Sequence, residues 1–263
     1  MSTVALAGDW HGNTRWARAR IAEVADNSVA LILHLGDFGI WPGPSGRAYI
    51  DQLEKTCAEH GVGIWVTPGN HEDWGSLTRL WAQPELNGRP LHVSEHIAIL
   101  PRGYRFTLEG RSFVSLGGAP SVDLDYRSRN HDWWPEEAIT PKDVATVVAG
   151  GYADVMLAHD APLAPYEVPH VARIRSETGT WPAHALAYAR AGAELMHEAF
   201  LGVHPRLFAH GHYHVVDDTT VRLPDATYET RIWSLNCDGV DGNLRYLDLA
   251  TLDDPASERP SAR

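Results

Sequence analysis

Asp9 and His11 stand two residues apart in Gly8-Asp9-Trp10-His11-Gly12-Asn13, directly after the apolar run Val4-Ala5-Leu6-Ala7. In an extended chain, residues two apart point the same way, so the pair would present a carboxylate and an imidazole to one point at a strand's end. Glycines on both sides allow a sharp turn and leave room for a ligand. A carboxylate with an imidazole is half of a site for a transition-metal ion. An isolated Asp-x-His is more often a solvated loop, so the weight falls on later segments that repeat the arrangement. Gly36-Asp37 follows Val29–Leu35, and Gly69-Asn70-His71-Glu72 follows Gly61–Thr67. His159-Asp160 follows Ala153–Ala158, and His210-Gly211-His212-Tyr213-His214 follows Arg206–Ala209.

These residues need a scaffold that brings strand ends together. Arg15–Asp26 and Gly46–His60 have helical character and alternate with the first three apolar runs, the pattern of a parallel sheet with right-handed crossovers. Trp74–Trp81 reads as a short helix. Leu91–Val93, Ile97–Leu100, Tyr104–Leu108 and Arg111–Leu116 read as antiparallel strands and hairpins. Ser121–Thr140 reads as a long ordered loop after Gly117-Gly118, and Pro141–Ala149 as a helix capped by Thr140. Leu163–Pro182 shows no period, Ala183–Phe200 is an amphipathic helix, and strands over 215–223, 227–236 and 243–249 close the chain. The expected fold class is α/β: a four-layer α/β/β/α sandwich of two mixed sheets, with its site at the C-terminal edge of the strands. No repeat or linker divides the chain, so one domain over 1–252 and a polar, flexible tail over 253–263 are expected.

Composition narrows the function. The 263 residues carry a net charge of -12, which argues against an extended nucleic-acid surface; an anionic ligand would need a local cationic centre. Two widely separated cysteines, Cys57 and Cys237, suit a reducing compartment and read as buried apolar fillers. The N-terminus shows no basic leader and no run spans a membrane, so the expectation is a cytoplasmic protein. Fifteen histidines and ten tryptophans are the unusual counts. His34, inside a strand, reads as a core residue or as a neighbour that supports ligands, and His210 as a supporting neighbour.

Gly-Asp-x-His at 8–11, Gly-Asp at 36–37, Gly-Asn-His-Glu at 69–72, His159, and Gly-His-x-His at 211–214 together resemble the calcineurin-like metallophosphoesterases in order, spacing and strand-end context over residues 3–214. The resemblance implies that Asp9, His11, Asp37 and His214 hold one divalent metal ion. It implies that Asp37, Asn70, His159 and His212 hold a second, with Asp37 bridging. His71 would then be the catalytic histidine beside the phosphate, oriented by Glu72 or Asp73. The implied reaction is in-line attack of a metal-bridging hydroxide on phosphorus.

That chemistry is self-consistent. Two close cations need a shared carboxylate, and two clamped ions stabilise an in-line displacement at phosphorus. Roughly +4 from the ions meets -2 from Asp9 and Asp37, so the centre stays attractive to a phosphate even with a bound hydroxide. Carboxylate, imidazole and amide donors without a thiolate suit Mn²⁺, the expected ion, and also Fe or Zn²⁺. Asp123–Glu137 contains Arg127, Arg129, His131, Trp133 and Trp134. This stretch is either a loop pinned by its tryptophans or a lid whose Arg127, Arg129 or His131 reaches substrate. The expected function is a phosphodiesterase on a small nucleotide or cyclic nucleotide. The alternatives are a phosphomonoesterase or protein phosphatase, and a metal-bound interaction scaffold with little turnover. The full ligand set favours an enzyme.

Overall fold

The computed structural model describes residues 2–177 and 179–253. Six strands form one sheet: β1 (Thr3–Ala7), β2 (Leu31–His34), β3 (Gly63–Val66), β4 (Leu91–His92), β5 (Ile97–Ile99) and β12 (Leu244–Asp248), in the order β12-β1-β2-β3-β5-β4. Six more form a second: β6 (Arg105–Leu108), β7 (Arg111–Leu116), β8 (Val155–Ala158), β9 (Leu207–His210), β10 (Asp217–Val221) and β11 (Thr230–Ser234), in the order β10-β11-β9-β8-β7-β6. Each sheet has four parallel strands in its middle and one antiparallel strand at each edge.

Side-chain alternation explains the layers. Val4 and Leu6 of β1, Leu31 and Leu33 of β2, Val155 and Leu157 of β8, and Leu207 and Ala209 of β9 share one core between the sheets. Their neighbours along the same strands point outward. Ala5, Ala7 and Ile32 pack against α1 (Thr14–Asp26), α2 (Gly43–His60) and α3 (Trp74–Trp81). Met156, Ala158 and Phe208 pack against α4 (Pro141–Ala149), α5 (Pro169–Ser176) and α6 (Ala183–Val203). Strands buried on both faces are what continuous apolar runs produce. The expected four-layer α/β/β/α sandwich is the architecture observed.

Local chemistry sets several boundaries. Asn13 and Asp73 cap α1 and α3 through their side chains, and Thr140 with Asp143 forms a full capping box on α4. Two expectations need correction. The segments over 91–116 do form hairpins, but they are not purely antiparallel, since β5 also runs parallel to β3 and β7 parallel to β8. Leu163–Pro182 contains the eight-residue helix α5, which buries only Val171 and so shows no readable period. Asp253, the first residue of the expected tail, meets Arg231 Nη1 at 2.7 Å. The remainder of that tail, 254–263, lies outside the described residues. Among the described residues no helix is long and apolar enough to cross a membrane.

Candidate metal centre

The C-terminal ends of β1, β2, β3, β8 and β9 meet at one edge of the sandwich and carry Asp9, Asp37, Asn70, His159 and His212. Asp9 is fully buried, and its carboxylate accepts from the backbone N–H of His212 at 3.1 Å. Gly211 leaves the space for this: a Cβ there would sit 2.1 Å from Asp9 Oδ1. Gly69 does the same beside Asp37, where a Cβ would stand 2.2 Å from Oδ1. The alternation expected for Asp9 and His11 is not how they meet. His11 lies in a turn with φ of 45°, and Asp37, His212 and His214 also take positive φ, of 51°, 69° and 52°. Left-handed non-glycine residues cost energy and gather at functional sites.

Two groups of ligand atoms result. Asp9, His11 and His214 place one donor atom each within 4.8 Å of one another, and so do Asp37, His159 and His212. Asn70 joins the second group, its Oδ1 2.9 Å from His159 Nε2. Asp37 Oδ2 stands between the groups, 3.7 Å from His11 Nε2 and 3.4 Å from His159 Nε2.

The donor chemistry fits a cation. His159 Nδ1 lies 2.7 Å from the Leu35 carbonyl, to which it must donate, leaving Nε2 as the free lone pair. Asn70 Nδ2 donates to Ser121 Oγ at 2.9 Å, which turns its Oδ1 to the same point. Nε2, Oδ1 and Asp37 Oδ2 are thus three acceptors converging in a buried place, an arrangement that needs a positive charge among them. With only protein atoms, a proton supplies it. Burial opposes charge on His159, but Asp37, Asp9 and the Leu35 carbonyl outweigh it and carry the ring up to about 10. Burial likewise opposes charge on His11, and Asp37, Asp9 and Asp238 raise it. Burial alone would raise Asp37, yet His159, His71 and His11 hold it well below the carboxylate range. His212 is driven well below its ordinary value by burial and by His159, so it is neutral and fit to ligate.

The surrounding residues hold these groups in place. His11 Nδ1 meets Asp238 Oδ1 at 2.9 Å, and Asn13 Nδ2 donates to the other oxygen at 2.7 Å. A carboxylate behind a ligating imidazole fixes its tautomer and ring orientation. Glu72, fully buried, accepts from the backbone N–H groups of Asp37, Gly39 and Gly69 and so ties the loops after β2 and β3 together. Burial and the nearby Asp37 push its carboxyl up to about 7. Neither Glu72 nor Asp73 orients His71 as the sequence suggested, because Glu72 is spent on those amides and Asp73 on capping α3. Arg127 is the partner instead: its Nη2 donates to His71 Nδ1 at 2.6 Å. Its Nη1 donates to Ser121 Oγ at 2.9 Å, and Ser121 in turn donates to the buried Glu137 at 2.8 Å.

Other candidates lie elsewhere. Arg129 is exposed. His131 lines a separate groove with Asp73 and Arg79. Trp134 is buried in the helix-side core and Trp133 donates to Glu137 at 2.9 Å, so both pin the loop. His34 is a neutral core residue edge-on to Trp10 at 4.7 Å, its pKa lowered mainly by burial. His210 is buried beside the site with its pKa lowered to about 4 by burial. Cys57 is buried as expected, but Cys237 is only half-buried.

A family model, that of the calcineurin-like phosphoesterases, matches residues 2–216, a span that contains both ligand groups. The chain belongs to this family. It is therefore a metal-dependent phosphoester hydrolase of a family that typically binds two divalent ions, and its structure holds candidate metal-ligand groups. A dimetal phosphatase from Danio rerio shares the fold with a TM-score of 0.56 at 11% identity, over 94% of this chain and 92% of that one. A Thermus thermophilus protein does so with a TM-score of 0.54 at 10% identity, over 96% of both chains. No curated protein matches the sequence.

In this phosphoesterase a residue beyond the family match, Asp238, also reaches the candidate site. Asp238 follows β11, and its only sequence signal is an Asp-Gly after an apolar strand. If it orients His11 as a ligand, Asp238→Ala should weaken the Asp9–His11–His214 site for metal by about 10- to 100-fold. Metal titration would then show one tight and one weakened site, whereas two unchanged sites would refute the role.

Proposed function

We propose that this phosphoesterase is a phosphodiesterase acting on a small nucleotide or cyclic nucleotide. Asp9, His11, Asp37 and His214 would hold one divalent ion, and Asp37, Asn70, His159 and His212 the other. The observation that carries the reading is the position of Asp37 Oδ2 between the two ligand groups. Bound divalent ions supply an acidified water and neutralise charge at phosphorus. Mn²⁺ suits the mixed oxygen and nitrogen donors, as do Fe and Zn²⁺.

The chain's own groups do the rest. Arg127 donates to His71 Nδ1, so the imidazole is neutral and carries its hydrogen on Nε2, which lies on the Asp37 side at 3.9 Å from Oδ2. On this reading that N–H donates to a phosphoryl oxygen. Arg127 is the cation beside it, flanked by Asp123 at 3.9 Å and by Glu137 at 3.8 Å, whose carboxyl burial pushes up to about 7. A site with so little surplus positive charge outside the ions suits the single negative charge of a diester better than the double charge of a monoester.

The test is to load the protein with Mn²⁺ and assay phosphomonoesters, cyclic nucleotides and dinucleotides side by side, with and without chelator. Diesters should be the better substrates by kcat/KM, and chelation should abolish turnover. Preference for monoesters would overturn the diester reading and favour a phosphatase. Two bound ions with no turnover on any ester would favour a scaffold.

A further inference from the structure

The metal ligands account for hydrolysis but not for the choice of ester, because any phosphoryl oxygen can approach two ions. Selectivity has to come from a surface adjoining them. The aromatic loop after Gly118 does not offer one, since Trp134 is in the core and Trp133 is engaged by Glu137. A cavity of about 430 Å³ on the other side does. Leu163, Ile174, Trp181 and Leu186 line it, Val122 contributes from the start of the loop, and the candidate ligand His212 is part of its wall. That volume is within the usual range of small-molecule sites, roughly 300–1,000 Å³.

We propose that this cavity receives the organic arm of the phosphoester and selects a flat aromatic group, a nucleobase or an aryl ring, a proposal that rests on the phosphodiesterase reading above. His212 joins the cavity to the phosphate position. Trp181 supplies a half-buried aromatic wall, and the exposed Tyr126 meets its ring edge-on at 6.3 Å. The arginines in the wall, Arg175 and Arg190, favour the same occupant. Arg175 also lines the cavity, but its donors are already used: Nε on Tyr213 Oη at 3.0 Å, Nη1 on Glu167 at 2.8 Å and Nη2 on the Ala161 carbonyl at 3.0 Å. A second phosphate asks for a buried, free guanidinium fork; Arg175 does not present one, and Arg190 is 71% exposed and paired with Glu194 at 2.9 Å. A flat apolar ring asks only for area and a stacking face.

The experiment measures binding by calorimetry to the Mn²⁺-loaded protein, using methylphosphonate, benzylphosphonate and thymidine 5′-monophosphate. The two aromatic probes should bind at least about tenfold more tightly than methylphosphonate, the lower end of what burying a ring contributes. A larger gain for thymidine monophosphate than for benzylphosphonate assigns a nucleoside arm; the reverse assigns an aryl arm. In Trp181→Ala the ratio of aromatic to methyl dissociation constants should collapse toward one, while Trp181→Phe should retain it. Ala189→Phe, which narrows the cavity from α6, should also collapse it. Equal affinity for benzylphosphonate and methylphosphonate overturns the proposal, as does a ratio unchanged in both Trp181→Ala and Ala189→Phe. Because binding is read without turnover, the two readings separate. Aromatic preference without diester hydrolysis sinks the phosphodiesterase reading alone. Diester hydrolysis without aromatic preference sinks the cavity assignment alone.

Discussion

Asp37→Asn should reduce turnover by at least about 10³-fold, roughly 4 kcal/mol of transition-state stabilisation, and should lower the metal content of both sites together. Asparagine matches the shape of aspartate and tolerates the left-handed backbone that residue 37 adopts at φ of 51°. Its remaining oxygen can still accept from the His71 backbone N–H, which lies 2.8 Å from Oδ1. The fold is therefore retained, and what disappears is the negative charge between the ligand groups. His214→Ala should cost less, because that side chain is 44% exposed and belongs to one group only. Elemental analysis of both variants, with circular dichroism as the folding control, decides the matter. Two ions retained in Asp37→Asn, or equal damage from His214→Ala, would show that Asp37 is not shared.

Removal of the His71 imidazole is the second large effect. His71→Ala should leave both ions bound and slow turnover by about 10²–10³-fold, the loss found when one preorganised donor to a developing charge is removed. The geometry also says how the loss depends on the leaving group. To act as a general acid, His71 would need protons on both nitrogens, but Nδ1 accepts from Arg127, a group that never gives up its own proton at neutral pH. Burial and Arg127 together outweigh Asp37 and keep the ring's pKa below its ordinary value. The neutral ring then serves as an Nε2–H donor. The penalty should be the same for a nitrophenolate leaving group, which needs no proton, and for an alkoxide, which does. A penalty that shrinks for nitrophenolate would mean that Arg127 releases His71 during the reaction and that the ring protonates the leaving oxygen.

The parts of this site that were legible in the sequence share one property: each candidate ligand follows a continuous apolar run. Burial on both faces makes such runs readable as strands, and parallel strands put their ends at one edge. The detail within each turn was not legible. Asp9 and His11 were expected to align by strand alternation, yet the φ of 45° at His11 shows a turn doing that work. Asp238 was missed because its partner is 227 positions away and no local spacing encodes that contact. Glu137 stood in plain view as a surface-type residue of a polar loop, but it is fully buried, accepting from Ser121 and Trp133. Its role depends on a loop closure that composition does not report. Helix α5 was hidden for a simpler reason, since one buried side chain makes no pattern.

The pairing of β1 with β12 sets the order of events when the chain is made. Thr3–Ala7 leaves the ribosome long before its antiparallel neighbour Leu244–Asp248. At about 5–20 residues per second, the far edge of β1 goes unpaired for on the order of tens of seconds. An open strand edge of this kind invites pairing with other chains. Asp238 and Asn243, whose side-chain amide donates to the Asp9 carbonyl at 3.2 Å, arrive in the same late stretch. The candidate metal centre is thus completed only once this late stretch has been made. For that interval the nascent chain has every ligand motif but neither Leu244–Asp248 nor the carboxylate behind His11.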